Sequence, residues 1–281
     1  MKDYNKIRKI EVKNFFGQGD FEWNLNQTVN ILGGKNGTGK SALLKMCIKM
    51  LSDVDLGSDL LEHNCDEIKL LMTNENIIRW NKETKSYDLI DGDGNIIDSS
   101  ERSEQADCFY FSPSMHSSME IDDLIEERIN WRNAAFVKDF EEYMKKPESD
   151  LVNFKQSVKL ASRNYLYHVI RHFFTDYESN IGSDFVFTKF GHKINYYELS
   201  YGEKELLLLL LKTDYTNCMP CIFFLDMPEY NLHIDWQEIL IGEMLELNPN
   251  MQLIVTTHSP NIITGWQDRV CEIGNLIKKT E

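Results

Sequence analysis

The sequence predicts an α/β fold, and three of its patterns lead to this prediction. Residues 28–32 form a short apolar segment that runs into a glycine-rich loop, and residues 42–51 behind the loop have apolar side chains at helical spacing. Residues 67–98 contain strand-like segments separated by turn residues, which is typical of a meander of hairpins. Strand-like segments return at residues 221–225 and 252–257, after a leucine-rich helix. The predicted architecture is an α/β head with an antiparallel β subdomain and a helical insertion.

Composition excludes several classes of protein. The chain has 281 residues, 42% of them hydrophobic, which suffices for a packed core and excludes general disorder. A formal net charge of −15 argues against indiscriminate DNA binding. The longest apolar run covers residues 206–211, whereas a membrane-spanning helix needs about 20 residues. Because the amino terminus lacks a signal-peptide core and the cysteines are widely scattered, we expect a cytoplasmic protein with no membrane partner.

Three segments of the chain differ in pattern, and we expect them to form three structural regions. Residues 1–112 contain an opening antiparallel pair of strands, at 7–12 and 20–25, followed by the glycine loop and the meander. Residues 113–184 change to helical patterns and are predicted to be the insertion. Residues 185–281 return to strands and helices and complete the head.

The strongest chemical signal is the glycine loop, which satisfies the pattern G-x-x-x-x-G-K-S between a buried strand and a helix. Glycines let backbone N–H groups curl around phosphate oxygens. Lys40 can then reach the β and γ phosphates, and the Ser41 hydroxyl can ligate Mg²⁺. The loop therefore predicts a nucleotide-binding site. Its predicted contact residues are Gly34, Asn36, Gly37, Thr38, Gly39, Lys40 and Ser41.

Three further segments follow in an informative order. Ser200 and Gly202 stand at the start of the leucine-rich helix, where a hydroxyl and backbone N–H groups at the positive end of a helix suit a phosphate. Taken alone, this pair indicates only an ordinary helix cap, and its value comes from its position in the order of segments. Asp226 ends a buried strand, an arrangement that can hold Mg²⁺, and His258 follows the next strand.

With these segments in this order, the chain resembles the ATP-binding-cassette ATPases, and among them the branch of SMC/RecF-like and OLD-like proteins. The resemblance covers residues 7–51 and 195–277 and implies a P-loop head that binds ATP and Mg²⁺. In that family the glycine loop is the Walker A motif. The resemblance further implies a signature motif at 199–203 with Ser200, Gly202 and Glu203, a Walker B strand at 222–226, a D-loop around His233 and Asp235, a switch histidine at His258, and metal ligands Ser41 and Asp226.

The same resemblance implies a homodimer or a higher homo-oligomer. Heads of this family dimerise head to tail around ATP. A nucleotide at Lys40 of one copy would then be capped by Ser200 and Gly202 of the other.

One residue departs from the family pattern. The position after the Walker B aspartate normally carries a glutamate that orients the attacking water, and here it is Met227, whose thioether cannot accept a proton. Two outcomes stay open: slow or absent hydrolysis, or hydrolysis rescued by Glu229 or His258. Glu229 would need the loop to carry it inward.

Relatives of this build include the ATPases of bacterial anti-phage systems such as Septu, Gabija and PARIS. By that resemblance we expect an ATP-dependent switch that controls a separate effector, a nuclease or a toxin, since the chain has no recognisable nuclease segment. Two alternatives stay open: a RecF-like, ATP-driven DNA-repair factor, and a hydrolysis-deficient scaffold locked by nucleotide.

A stripe of basic residues in the insertion offers a candidate nucleic-acid surface. If the segment is helical, its members recur on one face, although such a stripe is also consistent with a solvated surface. The basic residues are Lys155, Lys159, Arg163 and Arg171.

Overall fold

The computed structural model describes residues 5–52, 59–113, 120–126, 166–177, 187–216 and 218–279. The chain folds into two compact units. The first unit contains residues 1–112, 220–229 and 250–281, and the second contains residues 113–219 and 230–249. The three-region division expected from the sequence stays a prediction. Among the described helices, none is long and apolar enough to cross a membrane.

Fourteen strands lie in the described ranges. In chain order they are β1 (Ile7–Lys13), β2 (Asp20–Asn24), β3 (Val29–Gly33), β4 (Glu67–Met72), β5 (Ile77–Asn81), β6 (Ser86–Ile90), β7 (Ile96–Ile97), β8 (Cys108–Phe111), β9 (Phe187–Lys189), β10 (His192–Ile194), β11 (Ile222–Asp226), β12 (Gln252–Thr256), β13 (Val270–Glu272) and β14 (Ile277–Lys278).

The described helices vary from one turn to four. They are α1 (Lys40–Leu51), α2 (Leu60–Asn64), α3 (residues 120–126), α4 (residues 166–173), α5 (Tyr201–Tyr215), α6 (Ile234–Leu247), α7 (Pro260–Ile263) and α8 (Ile273–Leu276). Short 3₁₀ turns cover Phe15–Gly17, Ser99–Glu104, Tyr196–Glu198 and Gln267–Arg269.

A five-stranded parallel sheet forms the centre of the first unit, in the order β13-β3-β12-β11-β8. Every residue of β3, β11 and β12 is buried, which explains why these segments are almost continuously apolar rather than alternating. In the register of the sheet, Asp226 on β11 lies opposite Thr256 on β12, and Thr256 lies opposite Leu32 on β3. Because the strands are parallel, the loops that follow all three leave from the same edge.

The second sheet of this unit has seven strands in the order β14-β2-β1-β4-β5-β6-β7, with antiparallel neighbours throughout. It confirms the predicted opening pair and the meander, while β14 was not predicted. Buried side chains from this sheet, including Trp23 and Trp80, share one core with α1. Helix α1 contacts strands of both sheets, so the glycine loop at its start is held by the main core of the unit.

The second unit is built around α5, whose six leucines at residues 206–211 are all buried. A helix that is apolar on every side is a buried helix, and α5 packs against α6. The rings of Phe173 and Phe174 on α4 pack on Trp236 of α6 at centroid distances of 6.4 and 5.8 Å. This aromatic cluster ties α4 to α6.

Strand β9 (Phe187–Lys189) lies near the start of the segment at residues 185–281, which is expected to return to strands and helices. It pairs with β10, which was not predicted, through a two-residue loop. Phe190 and Gly191 in that loop have φ angles of 52° and 75°, the left-handed pair that a tight hairpin needs. Phenylalanine is a rare residue at such a position, so the sequence carried no turn signal there.

Candidate active site

The glycine loop has, at three of its glycines, a positive φ angle that other residues rarely adopt. Gly34, Gly37 and Gly39 have φ angles of 141°, 76° and 94°. A Cβ atom added at Gly34 would lie 2.7 Å from Ile273 Cγ2, and one at Gly39 would lie 2.8 Å from Phe16 Cε2. Left-handed turns in succession direct backbone N–H groups to one side, which is the geometry of an anion cradle.

Lys40 lies at the start of α1 with only 2% of its surface exposed. Its ammonium donates hydrogen bonds to the carbonyl oxygens of Gly34 and Lys35, at 2.8 and 3.0 Å. The same Nζ lies 3.1 Å from Nε2 of His258. Because an ammonium group only donates, a hydrogen bond between the two side chains has Nε2 as the acceptor.

Burial lowers the pKa of Lys40, and the carboxylates of Asp226, Glu229 and Glu272 oppose that shift. The ammonium is therefore stabilised by acidic groups from three different segments. Glu272 ends β13 and was not predicted from the sequence as part of the site. Its place beside the loop follows from the pairing of β13 with β3.

The carboxylate of Asp226 accepts hydrogen bonds from hydroxyl groups on three other segments. Its Oδ1 accepts from the hydroxyls of Ser41, at 2.8 Å, and Thr256, at 2.5 Å. Its Oδ2 accepts from the hydroxyl of Tyr110 at 3.0 Å. Burial raises the pKa of Tyr110, and the neighbouring Asp226 carboxylate raises it further, so the phenol stays protonated as a donor. The sequence-predicted pair of metal ligands, Ser41 and Asp226, is thus in direct contact.

Sequence reasoning missed Tyr110 and Thr256. Both lie on strands of the parallel sheet that flank β11, so strand pairing brings them to Asp226 across 116 and 30 residues of chain. The available signal was a hydroxyl within an otherwise apolar strand.

The loop after β11 turns sharply at Met227, which has a φ angle of 50°. The backbone N–H of Met227 donates to the carbonyl oxygen of Thr256 at 3.0 Å, which fixes the turn. Two residues later, Oε1 of Glu229 accepts a hydrogen bond from the backbone N–H of His258 at 2.7 Å. The loop therefore carries Glu229 to the segment that bears His258, whose ring contacts Lys40.

The signature segment lies in the second unit, where Ser200 is the N-cap of α5. The Ser200 hydroxyl accepts from the backbone N–H of Glu203 at 3.4 Å, and the Glu203 carboxylate accepts from the Ser200 N–H at 2.7 Å. This reciprocal pair is a capping box. The other oxygen of Glu203 accepts from the hydroxyl of Tyr177 at 2.7 Å. Ser200 is exposed at the helix start, and Gly202 is buried.

The residues expected in the D-loop occupy the beginning of α6. His233 is the N-cap, with Nδ1 3.4 Å from the backbone nitrogen of Asp235, and both side chains are largely exposed. The loop proper therefore precedes His233. Of the basic stripe, Lys155, Lys159 and Arg163 lie outside the described residues, and Arg171 lies on α4.

In the first unit the structure thus brings together Lys40, Ser41, Asp226, Glu229 and His258. Their chemistry fits a magnesium nucleotide: the ammonium and the loop N–H groups match phosphate oxygens, and a hydroxyl beside a carboxylate supplies hard oxygen ligands for Mg²⁺. In the second unit Ser200, Gly202 and Glu203 share the first turn of α5.

The glycine loop between β3 and α1, beside a parallel sheet, defines a P-loop nucleotide-binding fold. The chain belongs to the family described as "AAA domain, putative AbiEii toxin, Type IV TA system", whose profile matches residues 66–264.

A similar fold occurs in the SMC head domain from Thermotoga maritima, with 15% sequence identity, a TM-score of 0.57, and coverage of 92% of this chain and 91% of that chain. The Smc head domain from Pyrococcus furiosus, bound to the C-terminal domain of ScpA, is also similar, with 14% identity, a TM-score of 0.54, and coverage of 92% and 91% of the two chains. The structure of the recombination mediator protein RecF with ATPrS is similar as well, with 16% identity, a TM-score of 0.50, and coverage of 92% of this chain and 94% of that chain. These likenesses concern the fold alone.

A curated relative is the "Retron Vc95 probable ATPase" of Vibrio cholerae serotype O1 biovar El Tor. It is 30% identical over 92 residues, which cover 29% of this chain and 18% of the relative. The chain therefore spans less than a fifth of the length of that relative.

Proposed function

We propose that this ATPase works as a nucleotide-driven dimeric switch that controls a separate effector protein. The observation that carries the proposal is the contact of Ser41 with Asp226, at 2.8 Å, beside the buried ammonium of Lys40. These residues unite the glycine loop with the strand that ends in Asp226, in the arrangement that a magnesium nucleotide requires.

Binding begins at the glycine loop. Lys40 exchanges its hydrogen bonds with the carbonyl oxygens of Gly34 and Lys35 for bonds to phosphate oxygens, which are stronger because both partners are charged. Ser41 and Asp226 would hold Mg²⁺, which would supply positive charge to neutralise the phosphates. Thr256 and Tyr110 keep the Asp226 carboxylate in place through their hydroxyl groups.

Glu229 is the residue that we assign to the attacking water. Met227 occupies the usual position of the catalytic glutamate and has no group that accepts a proton. Glu229 is held at the site by the backbone N–H of His258, at 2.7 Å, and contributes to the electrostatic environment of Lys40. This hydrogen bond orients Oε1 of Glu229. The Glu229 carboxylate in turn orients the attacking water and accepts a proton from it. His258 positions Glu229 through its backbone and Lys40 through its ring.

The signature residues complete the site in a second copy of the chain. The 15-residue helix α5 begins at the exposed Ser200, and its first-turn N–H groups form the positive end of the helix dipole. Ser200 and Gly202 of one copy cap the nucleotide bound at Lys40 of the other. ATP therefore stabilises a head-to-tail dimer, and hydrolysis releases it.

The effector is a separate nuclease or toxin in anti-phage defence. The family description, which names a toxin and a toxin–antitoxin system, and the similarity to a retron ATPase support this part of the proposal. Met227 favours a second candidate, a scaffold that holds ATP without turnover. A RecF-like DNA clamp remains the third candidate.

Calorimetric titration of the protein with ATP and Mg²⁺ tests the proposal at its first step. Lys40→Ala should abolish binding, and Lys45→Ala, on the same helix, serves as the matched control. Equal ATP affinity in the parent and in Lys40→Ala would overturn the assignment of the site. Co-purification of a nuclease with the parent, or ATP-dependent DNA binding in its place, separates the first candidate from the third.

A further inference from the structure

The first turn of α5 packs very closely against the loop that precedes α6. A Cβ atom added to Gly202 would collide with the backbone carbonyl oxygen of Asn231, and its carbonyl carbon would lie 3.2 Å away. Asn231 has a φ angle of 63°, so the loop takes a left-handed turn at the point of contact. Asparagine tolerates this conformation better than most residues do. The two backbones are therefore as close as the absence of a side chain at Gly202 allows.

A buried carboxylate reinforces this contact one turn further along α5. Glu205 is only 1% exposed, and its Oε2 accepts a hydrogen bond from Nδ2 of Asn231 at 3.2 Å. Its other oxygen, Oε1, is also buried. Lys204, the adjacent cation, is directed to Asp122 on α3 at 2.8 Å. Within the part of the chain that the structure describes, no cation forms an ion pair with Glu205, which is uncommon for a buried carboxylate.

We infer that Glu205 is a positioning residue that holds the loop at residues 230–233 against the signature turn of α5. The inference deepens the proposed function and rests on it, because the signature turn matters there through its contact with the nucleotide of a second copy.

The charge state of Glu205 supplies a signature that a purely structural residue lacks. Burial raises the pKa of Glu205 from 4.5 to about 7, while hydrogen bonds from Asn231 on the loop and Tyr201 on α5 oppose the shift. Besides Glu205, the carboxylate of Glu120 on α3 acts electrostatically on Tyr201 and raises the pKa of its phenol. A loop that opens exposes Glu205 to water and restores its ordinary pKa. Glu205 thus binds its proton more tightly when the loop is closed than when it is open. The stability of the closed loop relative to the open loop therefore falls as pH rises toward 7 and above.

Hydrogen exchange of the loop at residues 230–233, corrected for the intrinsic rate and measured without nucleotide, tests the inference. In the parent, protection should fall about tenfold between pH 6 and pH 8, as the two pKa values require. Glu205→Gln keeps an acceptor for Asn231 and should remove this pH dependence. Glu205→Ala and Asn231→Ala should each lose protection at pH 6, whereas Glu238→Gln, on the exposed face of α6, should match the parent.

Two results would overturn the inference: protection that still falls between pH 6 and pH 8 in Glu205→Gln, or full protection at pH 6 in Glu205→Ala.

The mass of the protein in solution, measured with ATP and Mg²⁺, is the second readout. Glu205→Ala should weaken nucleotide-dependent dimers while it binds ATP as the parent does. If the parent forms no such dimers, the proposed function fails, and hydrogen exchange still decides the role of Glu205.

Discussion

The carboxylate of Glu229 accepts a hydrogen bond from the backbone N–H of His258, with 2.7 Å between Oε1 and the nitrogen. Since Nε2 of His258 lies 3.1 Å from Nζ of Lys40, the chain links a carboxylate, a histidine and the lysine of the glycine loop. A carboxylate thus lies near Lys40 although the residue that follows Asp226 is Met227.

Replacing Glu229 by Gln should lower kcat about 100-fold, the usual contribution of a positioned general base. The amide oxygen of Gln still accepts from the His258 N–H, so the loop geometry and KM should change little. Steady-state phosphate release with ATP and Mg²⁺ provides the measurement. A kcat within twofold of the parent would remove Glu229 from the mechanism.

Introducing the family glutamate as Met227→Glu should restore turnover to the Glu229→Gln protein. The turn at position 227 has a left-handed φ angle of 50°, which glutamate tolerates about as well as methionine does, and the Met227 N–H bond to Thr256 is preserved. The same phosphate assay compares the single and double variants. Failure of the double variant, with its fold and ATP affinity intact, would show that position 227 no longer faces the reacting phosphate.

Removing the Tyr110 hydroxyl by Tyr110→Phe should destabilise the first unit by about 1–3 kcal/mol, because the buried Asp226 carboxylate loses a donor. Urea unfolding followed by circular dichroism gives the free energy. Tyr230→Phe is the control, since Tyr230 is 60% exposed. Equal stability of parent and Tyr110→Phe would mean that the hydroxyl is not a significant support for Asp226.

Stability should depend on pH through Glu205. Its pKa is raised to about 7 in the folded protein, so its contribution to stability is fully present below pH 4.5 and is lost as pH rises through 7. Relative to the parent, Glu205→Gln should therefore gain stability between pH 5 and pH 8. Urea unfolding at the two pH values checks this difference. If Glu205→Gln and the parent differ in their free energy of unfolding by the same amount at both pH values, the Glu205 carboxyl is in contact with water and its pKa is not raised.

Much of the fold was predictable because its signals are local. The glycine loop, the apolar strand before it, the meander and the helix start at Ser200 each lie within a short segment, and the structure confirms these elements. Strands β10, β13 and β14 were missed. These strands have two or three residues each, too few for a periodic pattern.

The site was only partly predictable, for a different reason. Lys40, Ser41 and Asp226 belong to local motifs, whereas Thr256, Tyr110 and Glu272 reach the site through strand pairing across long stretches of chain. The contact of Glu205 with Asn231 likewise spans 26 residues. Contacts of this kind depend on tertiary packing that no spacing in the sequence specifies.

The most direct test of the central claim is the mass of the Glu229→Gln protein in solution, measured with ATP and Mg²⁺ and again without nucleotide. Slow turnover should trap ATP and shift the mass to that of a dimer. Adding Ser200→Arg, which places a bulky side chain at the exposed start of α5, should abolish the shift while ATP binding persists. A mass that does not respond to ATP, or a shift that survives Ser200→Arg, would contradict a head-to-tail switch built on the signature turn.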